Sequence, residues 1–236
     1  MATAAPNHIT ARLPNIPTEW ITAKWTDDEA AYLKIRQQID ARPTLTVDEV
    51  NGFLREAQRT NDPKSTFRWV YAYYIAQKTF HLFHYGGVGP IMFMKCQWPN
   101  NYQCARIRFI VSVEYRTFAN LIPMGQRLMK RDPKDYDVEF AYADLLTHQA
   151  DDPKSLASAI VVAQQIVKQN KTKASAYSLL ADTHFGRYLY TESTDDIQPA
   201  IDNYKIYLAL TRPDDTFRSH AMDIIRRLEV AKKRKR

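Results

Sequence analysis

The stretch "EFAYADLLT" (139–147) decides the fold once it is laid over "YSLLADTHF" (177–185) and "FRSHAMDII" (217–225). In that register Ala143 falls on Ala181 and Ala221, 38 and 40 residues apart. The segments that follow align as well. "ASAIVVAQQIV" (157–167) lies on "QPAIDNYKIYL" (198–208), with Ala159 on Ala200, Ile160 on Ile201, Ala163 on Tyr204 and Ile166 on Tyr207. Self-similarity at a fixed period is what stacked supersecondary units leave in a sequence. A small residue recurring in one helix lets its neighbour approach, and large residues in the next fill the groove between them. The unit is therefore a pair of helices joined by a short turn.

Working outward, the boundaries are written in "DPKS" (62–65), "DPKD" (132–135) and "DPKS" (152–155). Each proline bars the preceding helix from running on, and Asp135 and Ser155 fall at an N-cap or one residue inside it. Helices are expected at 135–149, 155–169, 173–190, 195–211 and 215–232. Upstream, the segment 27–41 has an acidic first turn and places Ala31, Ile35 and Ile39 at helical spacing, with Tyr32 and Leu33 alongside. The segment 46–59 opens with Thr46 and Glu49 in capping-box spacing, ahead of a Val50, Phe53, Leu54 and Ala57 stripe. These two segments predict a first hairpin. A long aromatic helix follows over 65–85, ended by "GGVGP" (86–90). The stretch 103–131 reads as a helix in spite of the strand-like "RFIVSV" (108–113), with Pro123 bending it or a break near Leu121.

The C-terminal pattern resembles the tetratricopeptide repeat family, including a proline after each second helix, Pro133 and Pro213. The resemblance covers 136–232, as two repeats and a capping helix. It departs from the family in its spacing, since the family repeats at about 34 residues. The extra length lies in "RYLYTESTDD" (187–196), and the glycine common beside the first small site is absent. The resemblance implies an all-α fold of helical hairpin repeats in a right-handed superhelix, whose first helices offer a groove to a partner peptide or helix. The residues after the small sites are Asp144, Asp182 and Met222. They do not form the cationic clamp with which one subgroup of the family holds a C-terminal carboxylate, so a basic partner is the better fit. The expected organisation is an extended arm at 1–26, divergent hairpins at 27–131 with an insertion at 86–104, repeats and cap at 132–232, and a basic tail at 233–236. Together they amount to one domain of about nine helices.

Composition narrows the function classes. The chain has 236 residues, 45% of them hydrophobic and 25% charged, enough to bury a sizeable core. Six glycines are too few for the frequent tight turns of a β-sandwich or barrel. Of the formal charge of +7, "KKRKR" (232–236) contributes five, so the rest of the chain carries about +2. Contact with nucleic acid or another anionic partner therefore rests on Lys232, Lys233, Arg234, Lys235 and Arg236. The N-terminal stretch has no apolar core of signal-peptide type and nowhere do about 18 apolar residues follow one another, so a cytoplasmic chain is expected. Cys96 and Cys104 are expected as thiols rather than as a disulfide.

No motif fixes a reaction. His81 and His84 with Cys96 and Cys104 have the donor types zinc takes, but the cysteine spacing is too wide and packed histidines are the preferred reading. "HYGGVGP" (84–90) lacks the lysine and hydroxyl of a phosphate loop and reads as a helix breaker. Glu114, His148 and His184 stand isolated on their helices. The aromatic residues Phe67, Trp69, Tyr71, Tyr73, Tyr74, Phe80, Phe83 and Tyr85 read as core rather than as a base-stacking platform. The sequence thus points to a non-catalytic interaction scaffold or adaptor subunit with no cofactor or metal, further contact surfaces being expected at 86–103 and 187–196. The other reading is a nucleic-acid-associated accessory protein that uses the basic tail.

Overall fold

The computed structural model describes residues 14–26, 28–80, 97–148 and 153–234. Among them the regular elements are eleven α-helices and one short 3-10 turn. The helices are α1 (Glu19–Thr22), α2 (Glu29–Asp40), α3 (Val47–Thr60), α4 (Pro63–Phe80), α5 (Tyr102–Glu114), α6 (Ile122–Arg131), α7 (Tyr136–His148), α8 (Pro153–Gln169), α9 (Ala174–Thr191), α10 (Ile197–Leu210) and α11 (Arg218–Arg234). None is long and apolar enough to cross a membrane. The chain divides into two compact units, 1–124 and 125–236.

In the first unit the capping box forms as spelled. Thr46 Oγ1 accepts from the Glu49 amide at 3.2 Å, and the Glu49 carboxylate accepts from the Thr46 amide at 2.8 Å. The expected pairing of α2 with α3 is corrected, because both pack on α4. The reason lies in α4, whose Phe67, Trp69, Tyr71, Tyr73 and Tyr74 are all buried, so it presents apolar surface to more than one neighbour. Phe67 meets Tyr32 edge-on at 5.3 Å, and Tyr71 donates to Asp40 Oδ1 at 2.6 Å. Those buried rings are unavailable for base stacking.

The ambiguous "RFIVSV" is helical, within α5. Every residue from Tyr102 to Val113 is buried, so the segment carries no amphipathic period and reads from sequence like a strand. Arg108 is held over Trp20 at 4.5 Å and over Phe118 at 5.2 Å. Arg116 and Asn120 then take positive φ, which breaks the chain before α6 and leaves Pro123 in its first turn, where a missing N–H costs nothing. Within the stretch expected as an extended arm, residues 14–26 are anchored. Ile16 and Trp20 are buried, and the Ala119 amide bonds Pro14 O at 2.9 Å. Cys104 is buried on α5. His81, His84, Cys96, Phe83, Tyr85 and the 86–90 breaker lie outside the described residues.

In the second unit, α7 packs on α8, α8 on α9, α9 on α10 and α10 on α11, and α7 also packs on α9. Sequential packing of this kind is what serial hairpins require. Ala143, Ala181 and Ala221 are each 0% exposed, and Ala159, Ala200, Ile160, Ile201, Ala163, Tyr204, Ile166 and Tyr207 are all buried, so every aligned position faces a core. Ala181 shares its core with Ala221, Ile224 and Leu228 of α11.

The punctuation needs one correction. α4 begins at Pro63, with Asp62 Oδ2 accepting from the Ser65 amide at 2.9 Å, so the aspartate caps and the proline opens the helix. α8 likewise begins at Pro153, which puts Ser155 inside the helix instead of at its cap. At the remaining copy Asp132 turns back to the Lys134 amide, and Asp135 does the capping, accepting from Val138 at 3.3 Å.

Candidate functional site

The buried alanines set the orientation of the residues beside them. Asp144 on α7 and Asp182 on α9 are half-buried, and Met222 on α11 is 46% exposed. Asp144 takes His148 as a neighbour one turn on, with His148 Nδ1 3.1 Å from Asp144 Oδ1, so the histidine expected to be isolated is paired. Both side chains are partly exposed, and such a pair is worth at most about 1 kcal/mol.

Asp182 is held more firmly. Tyr204 reaches across from α10 with its ring fully buried and donates its hydroxyl to Asp182 Oδ1 at 2.5 Å. Burial pushes the Asp182 carboxyl above the usual aspartate range. The Tyr204 bond and the charges of His148 and His220 pull it back, while Asp144 pushes it further up. Burial and the facing carboxylate raise the Tyr204 phenol far above its ordinary value, so it stays a donor at any physiological pH. These dependences place Asp144, His148 and His220 within electrostatic reach of Asp182. His220 is exposed and lies against Phe217 with ring centroids 4.8 Å apart.

The N-terminal ends of α7 and α9 are tied by polar contacts. Tyr136 Oη and Ser175 Oγ are 2.7 Å apart, and Lys173 Nζ sits 3.5 Å above the Tyr136 ring. Further along, Thr147 Oγ1 and Thr183 Oγ1 are 3.0 Å apart.

A buried ionic site lies in the extra length at 187–196, of which 187–190 was expected to be helical. α9 continues to Thr191, Glu192 takes φ 55° as its C-cap, and a 3-10 turn over Thr194–Asp196 leads into α10. Asp196 is 0% exposed. Its carboxylate accepts from His184 Nδ1 at 2.7 Å and from Arg187 through Nε at 2.7 Å and Nη2 at 2.6 Å. A carboxylate can only accept, so the proton sits on His184 Nδ1. Burial alone would raise the Asp196 carboxyl, but Arg187 and His184 outweigh it and hold it below the usual range. His184, read as isolated, is thus a core histidine at the register of Leu146 and Ile224. Its signal was in the sequence, a polar residue on a core position with an aspartate twelve residues on.

At the basic end, α11 runs through Lys232 and Lys233 to Arg234, where cations suit the negative end of the helix dipole. Lys232 Nζ donates to Gln198 Oε1 at the start of α10, so part of this charge is spent inside the unit. Lys235 and Arg236 lie outside the described residues. No cluster of three histidine, cysteine or acidic side chains suited to a metal ion occurs among the described residues. Compared with protein-family models, with curated proteins and with solved structures, the chain finds no match in any of the three.

Proposed function

We propose that the chain is a non-catalytic interaction scaffold of tetratricopeptide-like helical hairpins, taking a partner peptide or helix on the face carried by α7, α9 and α11. One observation carries this reading. The same register that buries Ala143, Ala181 and Ala221 completely leaves Asp144 half-buried and Met222 exposed beside them, with Asp182 half-buried and bonded to Tyr204. Two aspartates and a large exposed apolar side chain suit a segment that presents lysine or arginine beside an apolar residue. The sign also counts, since this acidic pair belongs to a chain of formal charge +7.

The test uses the full chain with Asp144→Arg and Met222→Arg together, both positions being accessible. A partner cross-linked by the wild type should be lost from this variant and kept when 232–236 are deleted. The reverse pattern, with nucleic acid recovered in place of protein and lost on deletion, overturns the scaffold reading in favour of the basic tail. Loss of capture on raising salt in the second case would follow counterion release.

A further inference from the structure

Glu139 stands one helical turn before Ala143, on the core side of α7. Its side chain is 0% exposed. Oε1 accepts a hydrogen bond from Gln165 Nε2 of α8 at 2.9 Å, and Oε2 has no hydrogen-bond partner. A buried carboxylate oxygen without a donor is costly, by far more than the same oxygen carrying a proton. The charged groups acting on it are Asp135 and Asp132, both acids, and Gln165 across the hairpin is neutral. Nothing in that set favours the ionised form except one amide.

We propose that Glu139 is a proton-dependent latch between α7 and α8, closed while its carboxyl is neutral and loosened when it ionises. Neutral, the group keeps its bond from Gln165 and places no charge in the core. Ionised, it puts a charge beside two carboxylates with a single donor to meet it, and the hairpin gives way to let water in. Burial and the two aspartates both push the carboxyl above its ordinary value of 4.5. For an acid raised in the folded state, the stabilisation is fully present below the ordinary glutamate value and is lost as pH climbs through the raised one. The latch holds α7, the helix that bears Asp144. The latch itself does not depend on the scaffold reading; only a consequence for partner binding would.

The test is amide hydrogen exchange on the full chain, following α7 against α2 as an internal reference, from about pH 5 to about pH 8. After correction for the intrinsic pH dependence of exchange, the opening constant of α7 in the wild type should rise by up to about tenfold per pH unit. In Glu139→Gln that rise should vanish, since the amide keeps the acceptor for Gln165 and cannot ionise. Should Glu139→Gln fail to fold, Gln165→Leu is the second variant. It removes the one donor to the ionised form, so the rise should start at the same pH, continue to a higher one and end in a greater loss of protection. Equal pH profiles for wild type and Glu139→Gln, or a Gln165→Leu profile that does not move, would overturn the latch.

Discussion

The hairpins α7–α8 and α9–α10 share one register and fill it differently. Where the first has Leu146, Ala163 and Ile166, the second has His184, Tyr204 and Tyr207. All six are buried. In the second hairpin each polar tip is met, His184 by Asp196, Tyr204 by Asp182 and Tyr207 by Asp215 at 2.5 Å. The Tyr207 phenol is pushed up to about 12 by burial and that carboxylate. Buried aromatics with a polar handle are tolerated when the handle finds an acceptor, and here each acceptor is an aspartate. In the first hairpin the buried Glu139 has only one of its two carboxylate oxygens bonded. Repeats of one backbone pattern therefore need not share one kind of core.

The sharpest way to break this comparison is Asp196→Ala. It strands Arg187 and a buried His184, and removal of one partner from a buried ion pair costs about 3–5 kcal/mol, to be read from denaturant unfolding. Replacing the whole set, His184→Leu, Arg187→Met and Asp196→Leu together, should recover most of that loss, as apolar replacement of a buried ionic group is often neutral. A triple variant as unstable as the single one would mean that the second hairpin needs its ionic core, and that the two cores are not exchangeable.

Next in size, the two hairpins should answer pH in opposite senses. Asp196 is held below the ordinary aspartate range, so its stabilisation is present above the ordinary value of 3.8 and lost as pH falls through the lowered one. Glu139 has the contrary sign. Acidification should thus raise exchange in Ala174–Leu210 while protecting α7, measured in one experiment on the same chain. Smaller again, Tyr204→Phe should cost about 1.5–3 kcal/mol, the range for a hydrogen bond to a charged group, because Asp182 is left buried without its donor. A Tyr204→Phe chain as stable as the wild type would place the weight of that contact on ring packing alone.

The second unit was legible because alanine at a helix crossing is a geometric requirement. Ala143, Ala181 and Ala221 are fully buried, so their spacing carries the register even where the rest of the sequence diverges. Asp144, Asp182 and Met222 followed from that register as the residues beside it. His184, Arg187 and Asp196 did not, because the helix was expected to run to 190 but the 3-10 turn that follows it, and that brings Asp196 onto His184 and Arg187, was not. α5 was obscure for the opposite reason. A helix buried on all sides has no period to read, and its "RFIVSV" offers only β-branched and aromatic residues, which favour strands when seen without their neighbours. The pairing of α2 and α3 with α4 is likewise tertiary, fixed by how many faces of an aromatic helix need cover.

The smallest effect concerns the seam between the hairpins. Thr147 Oγ1 donates to Ala143 O at 2.8 Å and Thr183 Oγ1 to Leu179 O at 2.7 Å, while the two hydroxyls stand 3.0 Å apart. Three oxygen contacts share two protons, so only two of them are hydrogen bonds at any moment. If one hydroxyl gives up its backbone bond to reach the other, the two threonines are coupled. Thr147→Val should then cost about 0.5–1.5 kcal/mol, and more in the presence of Thr183 than in Thr183→Val, with a coupling of about 0.5 kcal/mol in a double-mutant cycle. Strict additivity would show that each hydroxyl stays on its own helix. In that case the seam between α7 and α9 is held by the packing of Ala143 with Ala176, Leu179 and Leu180 and by the Tyr136 contacts, and the buried alanine of α7 explains the joint as well as the fold.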